Sequence, residues 1–319
     1  MSKLKLFYYP TQSLLTKTAV SKLNQIMNQR LGFLSILLTA VILGTFGILV
    51  RELSVSFSDS GQVLIRSVFA SLIIILVLLY KKASPLNLSR KNWLLIILFS
   101  IVFPTSILFF TYSVNTIKVT NSFFLLYAGS LGSTALLDKI IFREKFTAKH
   151  FLSLFLAFLG LLLFVYPFEI SILSLGLFGF LAGALEGTAH TLRRLMKDIS
   201  RDTIVFYQSL SGAILAGGVA LFSSESIIRE TSLYGFFVAF IFGVFLVSIG
   251  YLLAYGFANV STNLGVITLA SELLFATLLS ALILLEYPTL PELIGGILIF
   301  SGTIISGLEL KKPVQRENN

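Results

Sequence analysis

The sequence predicts an all-α integral membrane protein, with ten transmembrane helices forming two inverted five-helix repeats around a central cavity. Three observations carry this expectation. The 319 residues are 56% hydrophobic and only 12% charged, whereas a soluble domain carries about 25% charged residues. Residues 31–50, 92–117 and 203–224 contain no charge, and 231–271 are 41 consecutive uncharged positions; a helix needs about 20 apolar residues to cross a bilayer. Residues 119–160 also return 142 positions later as 261–302. Thr120-Asn121 becomes Thr262-Asn263, Leu136-Leu137 becomes Leu278-Leu279, and Glu144-x-x-Thr147 becomes Glu286-x-x-Thr289. Many carriers are built from such doubled segments, the two halves enclosing a path between them.

The first 30 residues hold five basic and no acidic side chains, with Leu15, Ala19, Leu23 and Ile26 on one helical face. This pattern predicts an amphipathic helix on the anionic inner leaflet. A cleaved organellar transit peptide is the alternative, and Lys in place of Arg argues against it. Ten spans follow, at 31–50, 62–80, 92–112, 119–138, 150–167, 171–192, 203–223, 233–256, 261–285 and 291–310. The chain therefore divides into a basic segment (1–30), a first repeat (31–168), a second repeat (169–310) and a tail (311–319). Loop charge alternates along these spans. The N-terminal segment, 81–91, 138–149, 193–201, 257–260 and the tail hold 20 of the 24 Lys and Arg. Arg51, Lys118 and Arg229 lie on the other side, and Arg66 lies inside a span. The positive-inside rule then puts both termini in the cytoplasm, beneath the cell's inner membrane. Five helices is an odd number, so the second repeat enters the bilayer in the opposite sense. The earlier helices align at an offset of 142 or 143: Gly44-Thr45 with Gly187-Thr188, Arg51 with Arg194, Arg66-Ser67 with Gln208-Ser209.

Composition also excludes several functions. The net charge of +9 follows membrane topology, so no nucleic-acid partner is expected. With no Cys and two His, there are no disulfides or thiolate metal sites, and no metal, cofactor or enzymatic activity is expected. No nucleotide-hydrolysing motif is present, so ATP does not drive the protein directly.

These features resemble the EamA family of the drug/metabolite transporter superfamily. The resemblance covers about residues 31–310. It rests on Glu144-Lys-Phe-Thr147 with Gly160, Glu286-Tyr-Pro-Thr289 with Gly302, Arg66 near the outer end of the second helix, and the basic pair Arg193-Arg194 ending the sixth. The family implies a ten-helix basket with a central cavity. It implies no single substrate, since amino acids, amines and nucleotide derivatives all occur.

Ionisable residues inside spans are the candidates for function, because a charge at the bilayer centre costs roughly 2.5–3.5 kcal/mol on insertion scales. Glu186 and His190 lie four apart on the sixth helix, above Gly179 and Gly183 on the same face. His is the side chain whose charge changes in the physiological pH range. Glu272 falls near the middle of the ninth helix, the depth at which carriers bind substrate. Arg66 either snorkels outward or draws in an anionic group, and its repeat partner Gln208 keeps polarity without charge. These five are the expected substrate- or proton-binding residues. Glu144 and Glu286 read as structural, with Thr147 and Thr289 placed to cap the following helices. Tyr112 and Tyr255, repeat partners, either line the path or anchor at the interface.

The function expected is secondary transport of a small polar metabolite (an amino acid, amine or related compound), directed outward. Uptake or exchange of a nucleotide-like metabolite is the alternative, and a non-transporting membrane protein is the alternative of another class. The partners expected are the substrate and the lipid bilayer. The oligomeric state is open, a homodimer included.

Overall fold

The computed structural model describes residues 11–117, 119–164, 166, 176–223, 226–283, 285 and 287–309. Residues 1–10, Lys118, Glu286 and the chain from 310 onward lie outside the described residues, as do the side chains of Leu15, Ala19 and Leu23. The described secondary structure is helical apart from one isolated β-bridge between Phe57 and Ile228. The helices are α1 (Thr11–Leu43), α2 (Phe46–Ser56), α3 (Asp59–Lys81), α4 (Arg90–Thr116), α5 (Val119–Ile141), α6 (Ala148–Phe164), α7 (Leu177–Leu195), α8 (Arg201–Phe222), α9 (Leu233–Asn259), α10 (Thr262–Leu269), α11 (Glu272–Ile283) and α12 (Leu290–Glu309).

Among the described residues, eight helices are long and apolar enough to cross a membrane. They match eight of the ten expected spans. The other two are α6, apolar but 17 residues long, and α7, which holds Glu186, Arg193 and Arg194 within 19 residues. A count of ten spans thus rests on the repeat rather than on helix length. The helices bury polarity and expose apolar surface. On α3 the buried face carries Gln62, Arg66, Ser67 and Ser71, while Leu72, Leu76 and Leu79 face outward. That pattern suits a lipid surround.

Three details depart from the sequence reading. The helix expected to lie on the membrane surface continues into the first span, because nothing interrupts α1 between Thr11 and Leu43. The first and ninth spans are each broken in two. At the first break Thr45 Oγ1 donates to the Ile42 carbonyl at 2.7 Å; at the second Ser271 Oγ donates to the Thr268 carbonyl at 2.6 Å. In both, a hydroxyl takes the carbonyl three residues back and competes with the helical ladder. The breaks adjoin, since a Cβ on Gly44 would stand 3.0 Å from the Ala276 nitrogen. Finally, Arg193 is not in a loop: α7 runs a turn further than expected and carries it into the interior, where it is fully buried.

The two halves repeat in three dimensions. α4 and α9 are both 27 residues long and both start after a serine N-cap, Ser89 and Ser232, at an offset of 143. Arg143 and Leu285, each just before the repeated Glu, both adopt left-handed φ, 52° and 57°. The mid-helix glycines of the closing helices pack reciprocally. Gly160 on α6 meets Gly295 and Ile299, and Gly302 on α12 meets Ser153 and Ala157; a shift of 142 carries one contact onto the other. The C-terminal end of α5 meets the N-terminal end of α10, where the Asn263 amide donates to Asp138 at 2.7 Å, so the two copies run in opposite senses. One end of the bundle therefore holds the 82–89, 142–147 and 196–200 connections and most described Lys and Arg. It is called the basic end below. The other holds the 57–58 and 226–232 connections.

Candidate functional site

Glu272 is the first residue of α11, immediately after the second helix break, and it is buried. The break directs the start of α11 into the interior, where the helix dipole favours an acidic side chain in the first turn. The Tyr127 hydroxyl, from α5, lies between the Glu272 carboxyl and the Leu269 carbonyl, 3.0 Å from the latter. That hydroxyl has one hydrogen and faces two acceptors. The arrangement is complete when Glu272 carries a proton and donates it to Tyr127, leaving the tyrosine hydrogen for Leu269.

The α7 residues form a second chain. Glu186 is half-buried and its Oε1 lies 3.9 Å from His190 Nε2, too far for a hydrogen bond. His190 is instead held through Nδ1, which accepts from Arg193 Nη1 at 2.8 Å, so the ring hydrogen sits on Nε2 and faces Glu186. Nε2 has no hydrogen-bond partner among the described residues. The imidazole stacks on Phe257 at 4.3 Å. Arg193 donates its other arm to Gln208 Oε1 at 2.8 Å and lies against both of the stacked rings of Phe99 and Phe103, 4.8 and 4.6 Å from their centres. Here α7 packs on α5, with Gly183 against the Leu126 carbonyl beside Tyr127 and Gly187 against the Ser130 carbonyl. Four expected site residues therefore fall into two neighbouring groups: His190 and Gln208 are joined by Arg193 with Glu186 beside His190, and Glu272 is joined to Tyr127 on α5, the helix packed against α7. The glycines on the Glu186 face serve close packing. Gly179, Gly183 and Gly187 bring α7 so close to its neighbours that Cβ atoms would collide with Ser113, the Leu126 carbonyl and Ser133.

Arg66, the fifth, stands apart. It is buried on α3 toward the end opposite the basic one, with its guanidinium 4.6 Å over the Phe242 ring.

Sequence reasoning missed several residues. Arg193 counts with the basic loop charges as half of the pair ending the sixth helix, and Tyr127 is uncharged, so neither is among the expected site residues. At the basic end, Asp138 is fully buried and accepts from Arg194 Nη1 at 3.1 Å and from the Asn263 amide. Arg194 also pairs with Glu144, and His150 Nε2 lies 2.6 Å from Asn263 Oδ1. Glu144 thus ties the α5–α6 junction to α7. Thr147 caps α6 through the His150 amide at 3.2 Å, and Thr289 exchanges hydrogen bonds with Glu292 at the start of α12. Asp138 lay at the edge of its span, where charge reads as loop. The repeat pairing of Asn121 with Asn263 was the one available signal.

A cavity of about 770 Å³ opens at the basic end, lined by Lys81, Lys197, Arg201, Asp202, Tyr251 and Tyr255 among others. Lys81 and Tyr251 both bind Asp202, tying α3, α8 and α9 together at its rim. Met196, Ile204 and Ala254 in its wall belong to the apolar cluster that contains Phe99, the ring under Arg193. An apolar layer thus separates this vestibule from the buried polar chain. Among the described residues no group of His, Asp and Glu is placed to hold a metal ion.

No curated protein matches the sequence. One solved structure, described as "Crystal structure of protein", shares the fold with a TM-score of 0.73 at 15% identity, over 89% of this chain and 98% of that chain. The model of the EamA-like transporter family matches residues 30–166 and 173–308, one match for each repeat. Together the two matches span nearly the whole chain, and with the apolar helices they make this a multi-pass membrane protein that belongs to the EamA-like transporter family.

Proposed function

We propose that the chain is a secondary transporter that moves a small polar metabolite out of the cell through the inner membrane, with both termini in the cytoplasm. The observation that carries this reading is the two neighbouring groups, Glu272 with Tyr127 and Glu186 with His190, Arg193 and Gln208. Their members come from α5, α7, α8 and α11, so they draw on both halves. Neither carboxylate is required by the repeat, since Glu272 matches Ser130 and Glu186 matches Leu43. Ionisable groups are costly at this depth and a scaffold alone does not need them.

In the mechanism, Glu272 alternates between a protonated form bonded to Tyr127 and an ionised form, reached by releasing that proton, that binds substrate. Ionisation leaves one hydrogen for two acceptors and loosens α5 from α11 at the helix break. Substrate that favours the loosened arrangement shifts the conformational equilibrium. The β-bridge at Phe57–Ile228, where the Arg229 amide also donates to Ser56 O at 2.9 Å, joins the halves across the outer face. The vestibule lies on the cytoplasmic face, where exported cargo would enter. Amino acids and amines fit the two interior carboxylates. The alternative cargo, a nucleotide-like metabolite, is favoured by Arg66. The test is flux in proteoliposomes loaded with labelled amino acids, amines and nucleotides, alongside metabolite profiles of cells with and without the protein. Saturable flux of one class supports a carrier; none across all classes makes the protein structural.

A further inference from the structure

Arg66 has no counterpart of the two hydrogen bonds that Arg193 makes through Nη1 and Nη2, to His190 and Gln208. Among the described residues no side chain hydrogen-bonds or ion-pairs with its guanidinium, which lies buried over the Phe242 ring. One helical turn away, Gln62 is completely buried, and neither its Oε1 nor its Nε2 has a hydrogen-bond partner. Residues four apart share a helix face, so α3 presents a guanidinium and an amide together, both short of partners. A buried amide left unpaired is destabilising, and a buried arginine without a counter-charge is more so. Two such neighbours on one turn point to something that completes them.

The repeat identifies what kind of place this is. An offset of 143 carries α4 onto α9 and Phe99 onto Phe242. Arg193 lies over Phe99, and Arg66 lies over Phe242 at a similar distance. The two guanidiniums therefore occupy equivalent places, one toward each end of the bundle, although they come from different helices. Gln208, the repeat partner of Arg66, is the residue that accepts from Arg193. At the basic end the guanidinium is closed off by Gln208 and His190. At the opposite end the same kind of place lacks its acceptors. A planar guanidinium suits two parallel hydrogen bonds to a carboxylate or phosphate, and the Gln62 amide supplies a further donor.

We infer that Arg66 and Gln62, over Phe242, form a subsite for the anionic oxygen group of the transported molecule at the outer half of the path. This rests on the carrier reading and narrows it: the cargo carries a carboxylate or a phosphate, and a simple amine is not a substrate. Phe46, at the first helix break, meets Phe242 edge-on with ring centres 4.3 Å apart. The subsite is thus coupled to the bend in α1–α2 that lies against the helix carrying Glu272.

The chain has no cysteine, so one introduced thiol reports on the subsite without background. In membranes carrying the full chain with Gln62→Cys, the modification rates of an anionic and a cationic methanethiosulfonate are compared, with Arg66 intact and as Arg66→Gln or Arg66→Lys. The subsite predicts an anionic preference that falls about tenfold in Arg66→Gln, the scale of local ion enrichment in a charged cleft, and survives in Arg66→Lys. Millimolar acetate or inorganic phosphate should slow modification while Arg66 is intact, and the more effective one tells carboxylate cargo from phosphate cargo. If Arg66→Gln does not fold, this competition decides alone. A thiol unreactive to both reagents, a preference indifferent to Arg66, or no protection by either anion overturns the subsite. Flux is scored separately. A protein with the preference but no flux keeps the subsite and loses the carrier, and flux without the preference does the reverse.

Discussion

Tyr127 and Glu272 carry the most specific expectation at the scale of single residues. Tyr127→Phe keeps the ring in place but leaves the Glu272 proton without its acceptor and the Leu269 carbonyl without its donor. It should cost about 1–3 kcal/mol, read as a lower melting temperature in detergent. An unchanged melting temperature would mean that the pair contributes nothing to joining α5 and α11. Glu186 and His190 make a separate prediction. The groups facing His190 are Arg193 and Glu186 on its own helix and the uncharged ring of Phe257, with Tyr127 and Glu272 in the neighbouring group on α5 and α11. Because Nδ1 accepts from Arg193, His190 stays neutral, so transport against pH should change shape in Glu186→Gln while His190→Gln keeps the shape of the unmodified chain. Three curves of one shape would make the pair structural. Glu186, His190, Glu272 and Arg66 were legible because a charge inside an uncharged run stands out. Arg193 and Asp138 were not, because sequence assigns a charge at a helix end to the loop. Tyr127 and Gln62 carry no charge, and only contacts identify them.

Among the elements, close packing through glycine decides which helices can meet. Gly129 and Gly132 lie on the same helix, α5. A Cβ at Gly129 would strike the Phe180 carbonyl of α7, whereas one at Gly132 meets nothing within 4 Å. Gly129→Ala should therefore destabilise by about 1–3 kcal/mol, the usual cost of overpacking. Gly132→Ala should be neutral or stabilise by up to about 1 kcal/mol, because alanine favours the helix. Thermal melts of the two variants side by side check this, and equal effects would contradict the α5–α7 contact. Most helices were legible from uncharged runs and serine or threonine caps. The breaks at Thr45 and Ser271 were not. Neither is marked by proline, and a hydroxyl in a helix takes a backbone carbonyl only in some settings.

For the whole molecule, the repeat made the architecture legible before any coordinates, because two weak copies in register constrain each other. The reciprocal packing of Gly160 and Gly302 follows from that symmetry. Moving Arg193 from loop to interior leaves the charge asymmetry in place, so both termini are still expected in the cytoplasm. Cysteines at Ser2 and Asn319 should resist an impermeant thiol reagent added outside intact cells, and labelling of either would invert the topology. What symmetry could not supply is the part that breaks it. Glu272, Glu186 and Arg66 each face a different residue in the other half, and function is read from those differences. The central claim is that Glu272 takes part in transport rather than only bracing α11. The most direct measurement is substrate flux in matched proteoliposomes of the unmodified chain and Glu272→Gln, each shown to be folded by its melting temperature. Glutamine can still bond Tyr127 but cannot give up a proton. The account predicts a folded variant whose flux falls by at least about tenfold, the change that about 1.4 kcal/mol produces; flux equal to that of the unmodified chain would contradict it.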